Sequence, residues 1–170
     1  MARKSFGTRL QLLLVGVNVA FWGAILGWTL VAAHPDDRPD HLEDPAFATA
    51  AEPRCADAVG AIEALGLPTT ADSPEERADL VDATNIILQT MVADLAAIDR
   101  PAGEEGEWVG SWLADWTTHI GDRQRWADGL RVGEDVPFSE TARGGEQVSR
   151  VIDHFAEVND MPACATTHDV

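Results

Sequence analysis

Positive charge is scarce in this sequence. The 170 residues include 12 Lys and Arg against 29 Asp and Glu, and three of the twelve (Arg3, Lys4 and Arg9) precede residue 10. The part of the chain after residue 33 therefore carries nine basic residues and all 29 acidic ones. Such a negative surface repels nucleic acid and anionic lipid head groups, which excludes nucleic acid as a partner. The acidity favours solubility, with weak cation binding or adaptation to a salty exterior as alternatives.

The sequence also lacks the motifs of common catalytic and metal chemistry. There is no H-E-x-x-H, no cysteine cluster and no EF-hand loop, so no convergent set of metal ligands is indicated. No glycine-rich phosphate loop is present, and Ser111, Ser139 and Ser149 lack the G-x-S-x-G context of a nucleophile elbow. We therefore predict no enzyme activity, no cofactor and no bound metal.

The chain does contain a long run without any charged residue, from Leu10 to Ala33. About 20 apolar residues cross the ~30 Å hydrocarbon core of a bilayer as a helix. Basic residues precede the run and acidic ones follow it, which predicts a cytoplasmic tail at 1–9 and an extracytoplasmic C-terminal domain. The alternative is a signal peptide cleaved after Val31-Ala32-Ala33, but the apolar region of a signal peptide is only ~7–15 residues long. We expect a retained, single-pass helix in the plasma membrane, in contact with the lipid bilayer.

Four small residues share one face of this predicted helix, at spacings of four, three and four: Gly16, Ala20, Gly23 and Gly27. The last two form a G-x-x-x-G, a pattern that lets two helix backbones approach closely in a membrane. Asn18 adds an amide that favours a partner over bare lipid. Glycine is common in transmembrane helices, so the whole face is a better indicator than the motif. It predicts docking onto another membrane protein or onto a second copy of the chain.

Residues 34–54 hold four prolines and many acidic side chains. This composition predicts an extended, self-repelling linker over 34–52. An all-α domain is expected at 53–165, followed by a tail at 166–170, because apolar residues recur at helical spacing and no stretch alternates like a strand. The predicted helices are 53–65, a second from the Ser73 N-cap and Pro74 to the turn at Arg100-Pro101, a third over 107–131, and a fourth that follows Gly144-Gly145 and stops before Met161-Pro162.

Two cysteines indicate how the domain is closed. Cys55 lies at the start of the first predicted helix and Cys164 just beyond the fourth. In an antiparallel bundle with an even number of helices, these two positions lie at the same end. An extracytoplasmic compartment permits a disulfide, which would contribute about 3–5 kcal/mol; two free thiols are the alternative. The predicted fold is a transmembrane helix followed by an antiparallel four-helix bundle closed by one disulfide.

Aromatic residues recur every four positions along the third predicted helix, and we call the whole stripe the Trp ridge: Trp108, Trp112, Trp116, His119, Arg123 and Trp126. Two interpretations are open. The indoles fill a loosely packed core, or they form a surface for a partner or a small ligand, with Arg123 as an anion or cation–π contact. The spacing of Asp115 and His119, four residues apart, is compatible with a carboxylate–imidazole pair on one helix face. The alternative pair is His154 with Glu157 or Asp153.

Residues 151–164, with the sequence VIDHFAEVNDMPAC, resemble the ends of uncharacterised single-pass membrane-anchored proteins of high-GC Gram-positive bacteria. The use of eleven Arg to one Lys suits that source. The resemblance implies a membrane-anchored domain and brings no activity with it. We therefore expect a non-enzymatic accessory or scaffold protein whose extracytoplasmic domain docks a membrane or envelope partner. The alternative function is an extracytoplasmic domain that binds a small ligand through the Trp ridge.

Overall fold

The computed structural model describes Trp22, residues 40–134 and residues 137–167. The chain divides into two compact units, Met1–Pro39 and Asp40–Val170. The predicted tail 1–9, the transmembrane helix 10–33 and its small-residue face lie outside the described residues, except for Trp22, which is helical. Within the described part of the chain, no helix has the length and apolar character needed to cross a membrane.

The second unit is mostly helical, as predicted. Its helices are α1 (Ala46–Leu65), α2 (Pro74–Ala96), α3 (Glu104–Arg131) and α4 (Val148–Val158), with short 3₁₀ turns at Pro68–Thr70 and Pro162–Cys164. An unpredicted hairpin of two-residue strands, β1 (Ala142–Arg143) and β2 (Glu146–Gln147), lies between α3 and α4. The strands are fully exposed and carry no alternating apolar pattern, so periodicity could not reveal them. Gly144 and Gly145 both have positive φ, which a tight hairpin turn requires.

α2 begins where the sequence predicts because its start signals are local. The Ser73 hydroxyl accepts a hydrogen bond from the Glu76 backbone N–H at 3.1 Å. The Glu76 carboxylate in turn accepts the Asp72 N–H at 2.8 Å. Pro74 occupies the first helical position, and the two glutamates of the first turn face the positive end of the helix dipole. Every helix start leaves the backbone N–H groups of its first turn without an intrahelical acceptor, and these interactions either satisfy such a group or complement its partial positive charge.

α1 begins at Ala46, so the prediction that Pro53 starts the first helix is wrong. Residues 46–52, predicted to be linker, are helical, and Pro53 lies inside the helix. Proline normally breaks a helix interior because it lacks an N–H and crowds the preceding turn. Here the first half of α1 buries Phe47 and Ala51 completely in the core, and this packing offsets the cost of the proline.

α2 and α3 run antiparallel, which can be followed through their polar contacts. Near the start of α2, Asp82 accepts a hydrogen bond from Arg131 at the end of α3, at 2.6 Å. Further along α2, Asn85 Oδ1 accepts from Arg123 Nε at 2.9 Å. As the residue numbers rise on one helix, they fall on the other. This pairing positions the middle of α3 at the centre of the domain.

Trp112 of α3 connects three helices in the core. Its ring stacks on Phe155 of α4, with centroids 5.2 Å apart, and meets Phe47 of α1 edge-on at 6.3 Å. Its Nε1–H donates to the backbone carbonyl of Ile152 at 3.3 Å. An indole in this position supplies both a large apolar surface and a satisfied polar group.

The predicted disulfide between Cys55 and Cys164 is confirmed, with the two sulfur atoms 2.05 Å apart and both residues fully buried. Cys55 does not lie at a helix start, however, because α1 begins nine residues before it. The bond joins the middle of α1 to the 3₁₀ turn that follows α4. Nearby, the Ala163 N–H donates to the Glu52 carboxylate at 3.2 Å, which ties the same two segments a second time.

Candidate functional site

The Trp ridge does not form an exposed aromatic surface. Four of its members are almost completely buried: Trp112 (2% exposed), Trp116 (1%), His119 (4%) and Arg123 (0%). Trp108 and Trp126 are half-buried and pack against the core. α3 contacts α2 as well as α4, so the ridge faces the interior. The surface interpretation is therefore wrong for these four residues, and the core interpretation is correct for Trp112 and Trp116.

α3 also carries buried polar side chains that hold the segment leading to α4. We call residues 137–147 the connector. Asp122 accepts two hydrogen bonds from Thr141, one from the backbone N–H at 2.7 Å and one from the hydroxyl at 2.9 Å. About two helical turns earlier on α3, Asp115 pairs with Arg143 of β1. The sequence gives no sign of these pairs, because the connector has no periodic pattern.

His119 lies on the same polar stripe and meets Glu140 of the connector. The His119 Nδ1 atom is 2.8 Å from Glu140 Oε1, and the two side chains are about equally buried. The other carboxylate oxygen, Oε2, accepts the Ser149 hydroxyl at 2.6 Å. The predicted pair between Asp115 and His119 does not form, since Asp115 is engaged by Arg143. Glu140 is 21 residues from His119 in sequence, and no local pattern connects them.

The order of these three groups limits their chemistry. A serine nucleophile needs an imidazole that takes the hydroxyl proton, and the carboxylate then orients the imidazole. Here the carboxylate of Glu140 lies between Ser149 and His119, so the hydroxyl donates to the acid and not to the base. This arrangement does not constitute a Ser–His–acid nucleophile.

His119 is held in its neutral form. Burial lowers the pKa of its imidazole, and the neighbouring Arg123 guanidinium lowers it further, against the opposing influence of Glu140 and Asp122. Burial acts in this direction because it penalises the charged imidazolium. A neutral imidazole beside a carboxylate carries its proton on Nδ1, which leaves Nε2 as a hydrogen-bond acceptor.

A cavity of about 250 Å³ adjoins this group, where α3, the connector and the first turn of α4 meet. Its lining includes the following side chains: His119, Arg123, Phe138, Glu140, Gln147, Ser149, Arg150 and Thr166. Over residues 40–134 and 137–167, no three His, Cys, Asp or Glu side chains converge as metal ligands would.

Two other cavities are present in the described part of the domain. One, of about 110 Å³, lies beside Trp108, Asp115 and Arg143. The other, of about 330 Å³, lies between the start of α1 and the end of α4, near His41 and Asn159. Neither brings together buried polar side chains from three elements, as the cavity beside His119 does.

Comparison with known proteins gives no relative for this chain: no protein-family model, no curated protein and no solved structure matches it. The residues and their geometry alone therefore carry the functional inference.

Proposed function

We propose that the chain is a non-enzymatic, membrane-anchored accessory or scaffold protein whose helical extracytoplasmic domain docks a partner in the membrane or envelope. The observation that carries this proposal is the Cys55–Cys164 disulfide. Disulfides form and persist in oxidising compartments and are rare in the cytoplasm. The uncharged run 10–33 and the basic residues before it support the same placement, with the N-terminus in the cytoplasm.

The polar groups of the domain support a structural role for α3. Asp122 and Asp115 are engaged by Thr141 and Arg143, and Glu140 accepts from Ser149 while facing His119. These side chains fix the connector onto the helices. The partner is proposed to bind through the small-residue face of the anchor, as a second membrane protein or a second copy of the chain. The negative charge of the domain argues against nucleic acid.

The alternative function, ligand binding by the Trp ridge, is not supported by the two tryptophans at the centre of the ridge. Trp112 and Trp116 are buried in the core, where no ligand reaches their faces. The half-buried Trp108 and Trp126 lie 18 positions apart on α3, at about 27 Å for a rise of ~1.5 Å per residue, and do not form one patch. We do not propose this function.

The placement is tested by labelling introduced cysteines in intact cells. A Gln89→Cys variant adds a thiol on the exposed side of α2, and Ser5→Cys adds one in the predicted cytoplasmic tail. A membrane-impermeant maleimide should label Gln89→Cys in intact cells and label Ser5→Cys only after lysis. The reverse pattern, or recovery of the full chain in the soluble fraction, contradicts the proposal.

The docking face is tested by crosslinking of the full chain in membranes. Replacing Gly23 and Gly27 with Leu adds bulk where two helix backbones are proposed to meet, so the crosslinked complex should be lost. The matched control carries Leu14→Ile and Ile25→Leu, on the other side of an ideal helix, and should keep the complex. A complex that survives the glycine substitutions contradicts docking through this face, as does equal loss in both variants.

A further inference from the structure

The cavity of about 250 Å³ beside His119 is bordered by polar side chains that are themselves buried. His119 and Ser149 are each more than nine-tenths buried, and so is the side chain of Glu140. Empty cavities in protein interiors are apolar, whereas a cavity with polar walls holds water or a polar ligand. The three residues come from α3, the connector and α4, so the tertiary fold assembles this polar lining.

The charges at this cavity balance. The charged side chains in the lining and directly behind it are three arginines and three acids: Arg123, Arg125, Arg150, Asp122, Glu140 and Asp153. The two buried members closest to His119 are committed to the fold, since Asp122 pairs with Arg125 and Arg123 donates to Asn85. A charged ligand would lose its hydration without meeting a net opposite charge. The balance therefore favours an uncharged ligand.

The lining offers both a hydrogen-bond acceptor and donors that no described residue uses. The Nδ1 atom of His119 faces Glu140, and Nε2 has no hydrogen-bond partner among the described residues. Burial lowers the pKa of His119, so the imidazole is uncharged at neutral pH and Nε2 accepts. The side chains of Gln147 and Arg150 border the same cavity, form no hydrogen bond with any described residue, and donate. A hydroxyl group both donates and accepts, so a molecule with several hydroxyls matches this combination.

We propose that this cavity binds an uncharged hexose. One hydroxyl donates to His119 Nε2, other hydroxyls accept from Gln147 and Arg150, and a C–H face of the sugar contacts the ring of Phe138. The volume of about 250 Å³ equals that of roughly eight water molecules at ~30 Å³ each, which accommodates one sugar ring and excludes an oligosaccharide. The proposal goes beyond the accessory function above and does not depend on it.

Binding is measured by titration calorimetry on the full chain at neutral pH, with the disulfide intact and in a detergent that has no sugar head group. The probes are D-glucose, D-galactose and D-mannose, each with its uronate, which adds a negative charge, and its 2-amino sugar, which adds a positive one. At least one neutral hexose should bind, and both of its charged counterparts should bind about tenfold more weakly. Tetrahydropyran, which has the ring of a hexose without its hydroxyls, should give no binding.

The site is assigned with a matched pair of glutamine variants. Gln147→Leu removes an exposed amide that no described residue uses, so the fold is retained and hexose binding should weaken about fivefold. Gln89→Leu makes the same change on the exposed side of α2 and should leave the affinity unchanged. Four results overturn the proposal: no binding of any of the three hexoses at about 20 mM, equal or tighter binding of a charged counterpart, equal binding of tetrahydropyran, or an unchanged affinity in Gln147→Leu.

Discussion

His119 couples the stability of the domain to pH. Its pKa in the folded state is lowered, first by burial and then by Arg123, while the unfolded chain has the ordinary value near 6.5. As the pH falls through 6.5, the unfolded state binds a proton that the folded state does not, so the free energy of unfolding decreases. The contribution is constant above that pH.

We therefore predict that the free energy of unfolding falls by up to about 1.4 kcal/mol per pH unit below pH 6.5. Urea titrations at several pH values between about 5 and 7.5 measure this slope. His119→Gln should flatten it, and His154→Gln, which removes an exposed imidazole of α4, should retain it. A wild-type slope in His119→Gln would assign the effect to other groups and contradict the prediction.

The two buried indoles of α3 differ in how their N–H groups are satisfied. Trp112 Nε1–H donates to Ile152 O, whereas Trp116 Nε1 has no partner among the described residues. Replacement by Phe removes similar volume in both cases but a hydrogen bond only in the first. Trp112→Phe should therefore destabilise the domain by about 1 kcal/mol more than Trp116→Phe. Urea unfolding of the two variants measures the difference; equal losses, or a larger loss in Trp116→Phe, would contradict it.

At the scale of secondary-structure elements, the sequence predicts what local interactions decide. The start of α2 follows from Ser73, Pro74 and the glutamates of its first turn, all within four residues. The start of α1 does not follow from neighbouring residues. The cost of Pro53 inside the helix is outweighed by packing of Phe47 against Trp112, which lies 65 residues further along the chain. Local propensity cannot anticipate that contact.

In the candidate site, too, the sequence predicts the features set by local spacing and misses those set by long-range contacts. Helical spacing correctly predicts that His119 and the buried tryptophans share one stripe of α3. It cannot predict that Glu140 and Thr141 cover that stripe, because the connector has no periodicity and its position depends on the hairpin turn and on α4. For the same reason, the cavity beside Arg150 is invisible in the sequence, since its walls come from three separate elements.

The connector is held onto α3 by one buried carboxylate. The Asp122 carboxylate is fully buried and holds Thr141 by two hydrogen bonds. Asp122→Ala leaves the Thr141 N–H without its acceptor, so we expect a loss of about 2–3 kcal/mol and faster amide exchange throughout residues 137–147. Asp79→Ala removes an exposed carboxylate that pairs with Arg131, and should cost less than about 1 kcal/mol.

Hydrogen–deuterium exchange with peptide-level mass spectrometry, combined with urea unfolding, separates the two effects. Asp79→Ala should leave exchange in the connector unchanged. Wild-type protection of the connector in Asp122→Ala would show that Asp122 does not hold it, and would contradict the assignment.

At the scale of the whole domain, the first and last described segments are tied together. Leu42 N–H donates to the Asn159 side chain at 2.8 Å, and the His41 ring lies 2.8 Å from the Val158 carbonyl. The disulfide closes the same region of the fold over a separation of 109 residues. A core of four helices in about 110 residues buries a modest share of its surface, so a covalent closure of this length has a large relative effect.

Replacing Cys55 and Cys164 together with Ser should lower the free energy of unfolding by about 3–5 kcal/mol, because the unfolded chain regains the conformational freedom that the loop closure removes. Urea unfolding of the full chain in detergent measures the change. Dithiothreitol should destabilise the wild type by a similar amount and leave the double variant unaffected, which separates loss of the bond from loss of side-chain packing. If the double variant unfolds at the wild-type urea concentration, the disulfide does not stabilise the domain. If dithiothreitol destabilises both proteins equally, the effect belongs to something other than the bond.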